Sequence, residues 1–84
     1  MVKVIIAAKY FKTQFTVDGE WAISPIVKNM YKKTVKVATQ NEAEGMQFSH
    51  WEINGKKVSE TNPATLTLPT VGRDETIEIL AVFS

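Results

Sequence analysis

The 84-residue chain contains no cysteine. Disulfide frameworks, thiolate zinc sites, iron–sulfur clusters and cysteine nucleophiles are therefore excluded. A single histidine, His50, cannot build a multi-histidine metal site or a paired-histidine mechanism. Arginine occurs once, as Arg73, and ten basic against nine acidic residues leave a net charge of +1. Nucleic-acid binding usually takes a domain with a pI above about 9, so this balance gives no call for it. Long apolar runs are missing too. The longest, Val4-Ile5-Ile6-Ala7-Ala8, falls far short of the roughly 20 residues that cross a bilayer. The same run looks superficially like a secretory leader, but Lys9 interrupts it before any cleavage site, and it reads instead as a first strand.

What is present is ordinary for a globular chain: 44% apolar and 23% charged residues. The length fits one domain, residues 1–84, with a small core. Period-2 alternation dominates, and no stretch repeats apolar residues at helical spacing. A first strand runs from Val2 to Phe11, with Val2, Val4, Ile6, Ala8 and Tyr10 on one face. Gln14–Val17 and Glu20–Ile23 flank Asp18-Gly19, a strong two-residue hairpin signal. Trp21 and Ile23 share a face, taken as inward, and Pro25 stops the ladder. Residues 26–33 accommodate at most one helical turn. Thr34 to Thr39 alternates cleanly, with Val35 and Val37 inward, and residues 40–45 form a polar loop. Between Phe48 and Trp51 the parity switches, which implies a bulge turning both aromatics to the core. Asn54-Gly55 is a second tight turn, Gly72-Arg73-Asp74 a third, and Ile77, Ile79, Ala81 and Phe83 line one face of the last strand. The fold class expected is all-β: a small antiparallel β-sandwich or barrel of about seven short strands, with immunoglobulin-like and β-grasp-like strand orders both open.

From Thr34 onward, Val35-Lys36-Val37-Ala38, Gly45-Met46-Gln47-Phe48, Trp51-Glu52-Ile53-Asn54-Gly55, Asn62-Pro63 and the closing Ala81-Val82-Phe83 form a recognisable series. It resembles the divergent internalin B-repeat, or bacterial repeat, domain over residues 34–83. Met46 stands where that family usually has an aromatic, and Ser49-His50 where it often has glycine. The resemblance implies a fold built on core and turn residues, without an active site. It also implies a setting in bacterial surface proteins or phage structural proteins.

His50 as a general base needs an activated nucleophile and an orienting carboxylate, and the sequence carries no signature of either. Glu42 and Glu44 offer too few oxygens for a calcium loop. Lys28, Lys32, Lys33 and Lys36 with Tyr31 form a basic, aromatic-bearing cluster, but lysines on strands also blunt edge pairing. Trp21, Phe48, Trp51 and Phe83 could floor a sugar platform; their alternation places all four in the core, so carbohydrate is not expected. No catalytic, cofactor or metal residue is assigned, and no enzymatic activity is expected. The most informative oddity is that two strands are apolar on both faces. Ile5 and Ala7 oppose Val4 and Ile6, while Leu80 and Val82 oppose Ile79 and Ala81. A two-layer antiparallel domain normally wets one face of each sheet, so Ile5, Ala7, Leu80 and Val82 are the candidate interface to another protein or to copies of the chain itself. The expectation is a structural interaction module without membrane insertion. A start at Met1 and an end just past Val82-Phe83 suit a phage virion component, such as a capsid decoration or tail-associated protein. The alternative is one repeat of a bacterial cell-surface protein, acting as spacer or adhesin.

Overall fold

The computed structural model describes residues 2–30, 32–70 and 75–84. Ten strands and no helix occur among them: β1 (Val2–Ala8), β2 (Gln14–Val17), β3 (Glu20–Ile23), β4 (Ile26–Met30), β5 (Thr34–Thr39), β6 (Glu42–Ala43), β7 (Met46–Ile53), β8 (Lys56–Ser59), β9 (Ala64–Thr67) and β10 (Thr76–Phe83). They form two packed sheets. The larger runs β4-β1-β10-β7, with β6 and β8 pairing along different stretches of β7; the smaller runs β3-β2-β5-β9. The all-β class holds. Tyr31 and the Gly72-Arg73-Asp74 turn lie outside the described residues.

The strand count exceeds seven for local reasons. Ile26–Met30, read as room for a helical turn, pairs antiparallel with β1 as β4. The loop at 40–45 folds into a short hairpin, with Glu44 and Gly45 at φ 54° and 75°. The first strand stops at Ala8 rather than Phe11, because Tyr10 turns to φ 77° and is 83% exposed instead of inward. Phe11 then returns to the core, its ring centroid 5.1 Å from that of Phe83.

One pair departs from the antiparallel pattern. β1 and β10 run parallel at the centre of the larger sheet, with Val4 opposite Ile77 and Ile6 opposite Ile79. Parallel neighbours need a long crossover, and here nearly the whole chain supplies it. The two most apolar strands thereby occupy the interior of the sheet.

Val4, Ile6, Phe15, Val17, Val35, Val37, Trp51, Ile77 and Ile79 are essentially sealed from solvent, each worth roughly 1.5–3 kcal/mol when an aliphatic or Phe side chain is fully buried. The parity switch in β7 is real: Val82 faces His50 but Phe83 faces Phe48, so Ser49 is the extra residue of a bulge. Phe48 and Trp51 consequently stack against the core, with centroids 5.4 Å apart. The Trp51 indole N–H donates to the Thr61 carbonyl at 2.9 Å. Asn54 accepts from the Glu78 amide at 2.9 Å, tying the turn after β7 to β10. Asn62 accepts from the Thr39 amide and donates to the Thr39 carbonyl and to Asn41 Oδ1. These residues of the repeat-like series are thus employed in packing and turns.

Trp21 and Ile23 are a correction. Both face solvent, 67% and 58% exposed. The two-residue turn at Asp18-Gly19, with φ 49° and 89°, fixes the register so that Thr16 pairs with Trp21 and Phe15 with Ala22. Directly paired residues share a face. Since Phe15 and Val17 are buried, Ala22 goes inward and Trp21 must point out.

Candidate functional site

The outer face of the larger sheet collects the four residues singled out from the sequence. Ile5 and Ala7 on β1 stand next to Leu80 and Val82 on β10, with Ala7 directly opposite Leu80. All four are half-buried by their neighbours on the sheet. Val27 on β4 pairs with Ile5 and extends the apolar strip, at 55% exposure. Across the sheet, one row reads Val27–Ile5–Glu78, the next Ala7–Leu80–Glu52, and the next Val82–His50. The aliphatic side chains therefore form a diagonal strip over three strands. Lys3 and Glu78 border it on one side and His50 and Glu52 on the other, so both signs of charge surround it.

The flank on β7 is ordered. Ser49 Oγ lies 2.9 Å from His50 Nδ1, and His50 Nε2 lies 2.8 Å from Glu52 Oε2. Both ring nitrogens are engaged. A hydroxyl donating to Nδ1 and an Nε2–H donating to the carboxylate satisfy a neutral imidazole completely. Sequence reasoning missed these partners, although the His50/Glu52 spacing of two already puts both on one face of a strand. The connectivity is that of a nucleophile, a base and an orienting acid. Acyl transfer also needs donors aimed at a developing oxyanion within a water-excluding cleft. His50 stands beside Val82 on the outer face of the sheet, its side chain 19% exposed. As arranged, the three residues make a fixed polar rim to the apolar strip.

The edges are guarded. Lys28 occupies the core-side register of edge strand β4, between Ile26 and Met30, and its ammonium lies 3.6 Å from Glu20 of β3. An inward-pointing charge on an edge strand discourages edge-to-edge pairing. Lys32 pairs with Asp18 at 3.4 Å, so two lysines of the expected basic cluster are already matched by acids. Glu42 and Glu44 are exposed, on β6 and in its turn. Among the described residues, no three His, Cys, Asp or Glu side chains gather as a metal-binding group.

Two of the open recesses on the surface lie among the described residues. One, of about 380 Å³, is a notch at the mouth of the sandwich between Ile53, Val58, Leu68 and Pro69. The other, of about 200 Å³, lies on the outer face of the smaller sheet over Gln14, Thr16, Ala38, Thr39 and Gln40. No helix among the described residues is long and apolar enough to cross a membrane. Comparison with known proteins leaves the fold to stand by itself: no family model, curated protein or solved structure matches the chain.

Proposed function

We propose that this chain is a non-catalytic structural module that docks through the outer face of its larger sheet, with copies of itself as the first partner. The observation that carries the reading is the contiguity of Ile5, Ala7, Leu80 and Val82 across the two central strands. An aliphatic strip at the middle of a sheet is stabilised further when a second surface covers it. The rim supports self-pairing, since Lys3 on one side can oppose Glu52 of a second copy across a two-fold axis. Lys28 on β4 disfavours the competing route, edge-to-edge strand addition.

The setting we propose, on the strength of the repeat-like residues, is a phage virion component such as a capsid decoration or tail-associated protein. A repeat serving as spacer or adhesin in a bacterial surface protein is the alternative, and it would stay monomeric in isolation. Truncating Leu80 or Val82 to Ala tests the docking face. Assembly, followed by solution mass, is expected to weaken at least tenfold while thermal stability falls little. Equal loss of both would contradict the reading.

A further inference from the structure

The smaller sheet presents a second surface of different chemistry. Trp21, on edge strand β3, lies two-thirds exposed, and its cross-strand neighbours run Trp21–Thr16–Ala38 toward the sheet centre. In the next row Ile23 stands opposite Gln14. The recess is lined by Gln14, Thr16, Ala38, Thr39 and Gln40, a small alanine among amides and hydroxyls, and the exposed Trp21 stands outside that lining on the neighbouring strand, opposite Thr16.

Three features make this a ligand surface of defined polarity. Among the described residues, the Gln14 and Gln40 amides and the Thr16 hydroxyl bond no other protein group, so their donors and acceptors are available. No charged side chain lines the recess, which fits a neutral ligand better than a phosphate or a carboxylate. The indole face carries the negative lobe of its quadrupole, which attracts weakly positive C–H groups. A pyranose ring offers one flat face of C–H bonds and an equatorial belt of hydroxyls. We propose that Trp21 with Gln14, Thr16 and Gln40 forms a binding site for a neutral hexopyranose glycan, one ring stacking on Trp21 and its hydroxyls engaging the amides. The recess, smaller than the roughly 300 Å³ of a typical small-molecule pocket, has room for a single ring, with the remainder of the chain running over the open sheet. The site lies on the sheet opposite the docking face and does not depend on it. It also reverses the sequence expectation about carbohydrate, which rested on Trp21 pointing inward.

The protein carries its own control. Trp51 is sealed in the core with its N–H on Thr61, so the two indole N–H resonances report one exposed and one buried ring. Maltotetraose, cellotetraose and chitotetraose would each be titrated to millimolar concentration into isotope-labelled protein. The expected result is a saturable shift of the Trp21 indole and of residues 14–16 and 38–40 with at least one of them, while the Trp51 indole stays fixed. Trp21→Ala should weaken that binding at least about tenfold and Gln14→Ala should weaken it severalfold, with the Trp51 resonance certifying that both variants fold. Three silent titrations overturn the proposal. So does a response of the β3 backbone to an extended hydrophobic peptide alone, which would make Trp21 part of a strand-pairing edge.

Discussion

Replacing each tryptophan by alanine tests the geometry most sharply, because one substitution is read in two environments. Trp51 is fully buried, touches the rings of Phe15 and Phe48 at centroid distances of 5.9 and 5.4 Å, and donates to the Thr61 carbonyl. Its truncation removes the largest core side chain and leaves a cavity, for a cost of about 3–5 kcal/mol. Trp21 contacts its cross-strand neighbour Thr16 on an open face, so its loss costs about 0.2–1 kcal/mol. A chain of 84 residues has a total stability of about 4–13 kcal/mol. Trp51→Ala therefore consumes a large part of the margin, and Trp51→Phe is the practical companion. It forfeits the hydrogen bond, about 1 kcal/mol, together with part of the buried area, for roughly 2 kcal/mol in all. At roughly 4–8 °C per kcal/mol for a domain of this size, Trp51→Phe should lower Tm by roughly 8–16 °C, and Trp21→Ala by less than roughly 8 °C. Differential scanning calorimetry and urea titration measure both. Comparable losses at the two positions would refute the register assigned to β2 and β3.

Further outcomes follow from named contacts. Gly55→Ala should destabilise the fold by about 1–2 kcal/mol, since an added Cβ meets nothing within 4 Å and only the φ of +84° opposes it; urea unfolding checks this. Asn62→Leu removes two hydrogen bonds from the β8–β9 loop to Thr39 of β5 and a third to Asn41 just beyond it, and is expected to cost about 1–3 kcal/mol and to loosen Thr39 in amide exchange. Glu60 should titrate below the ordinary glutamate range, because the Lys57 ammonium hydrogen-bonds and attracts its carboxylate. A carboxyl pKa depressed on folding stabilises above the unfolded value and loses that contribution as pH falls through the folded one. NMR titration should therefore show Glu60 moving back up in Lys57→Met. Ser49 is expected to resist a fluorophosphonate probe, as suits a rim residue; stoichiometric labelling would mark the Ser49–His50–Glu52 chain as reactive.

Much of this architecture is legible in the residues, and the misses have physical causes. Strand β10 declares its buried face through Ile77, Ile79, Ala81 and Phe83, all of which are core. The bulge in β7 is visible as the changed parity between Phe48 and Trp51. β4 is obscure because Lys28 sits at a core-side position between Ile26 and Met30, breaking the alternation that marks a strand. Its cause is tertiary: the ammonium reaches Glu20 on the other sheet. Trp21 misleads because size suggests burial, whereas the Asp18-Gly19 register together with Phe15 and Val17 dictates exposure. The sequence carries that signal, because a two-residue turn sets the parity of the returning strand. The parallel pairing of β1 with β10 has no local signal, since hairpin turns fix neighbours in sequence and say nothing about strands at opposite ends of the chain. The docking strip is different again. Two-sided apolarity in β1 and β10 marks Ile5, Ala7, Leu80 and Val82, but only the pairing of those strands makes them one surface.

The solution mass of the chain, measured by light scattering from micromolar to millimolar concentration, tests the central claim directly. Burial of the strip between copies predicts a mass that rises above the 9.4 kDa of one chain with increasing concentration. It also predicts that Leu80→Lys returns the protein to monomer while leaving Tm nearly unchanged, its ammonium reaching water along the open face. A wild-type chain that remains at 9.4 kDa throughout the range would contradict the account of how this face is used.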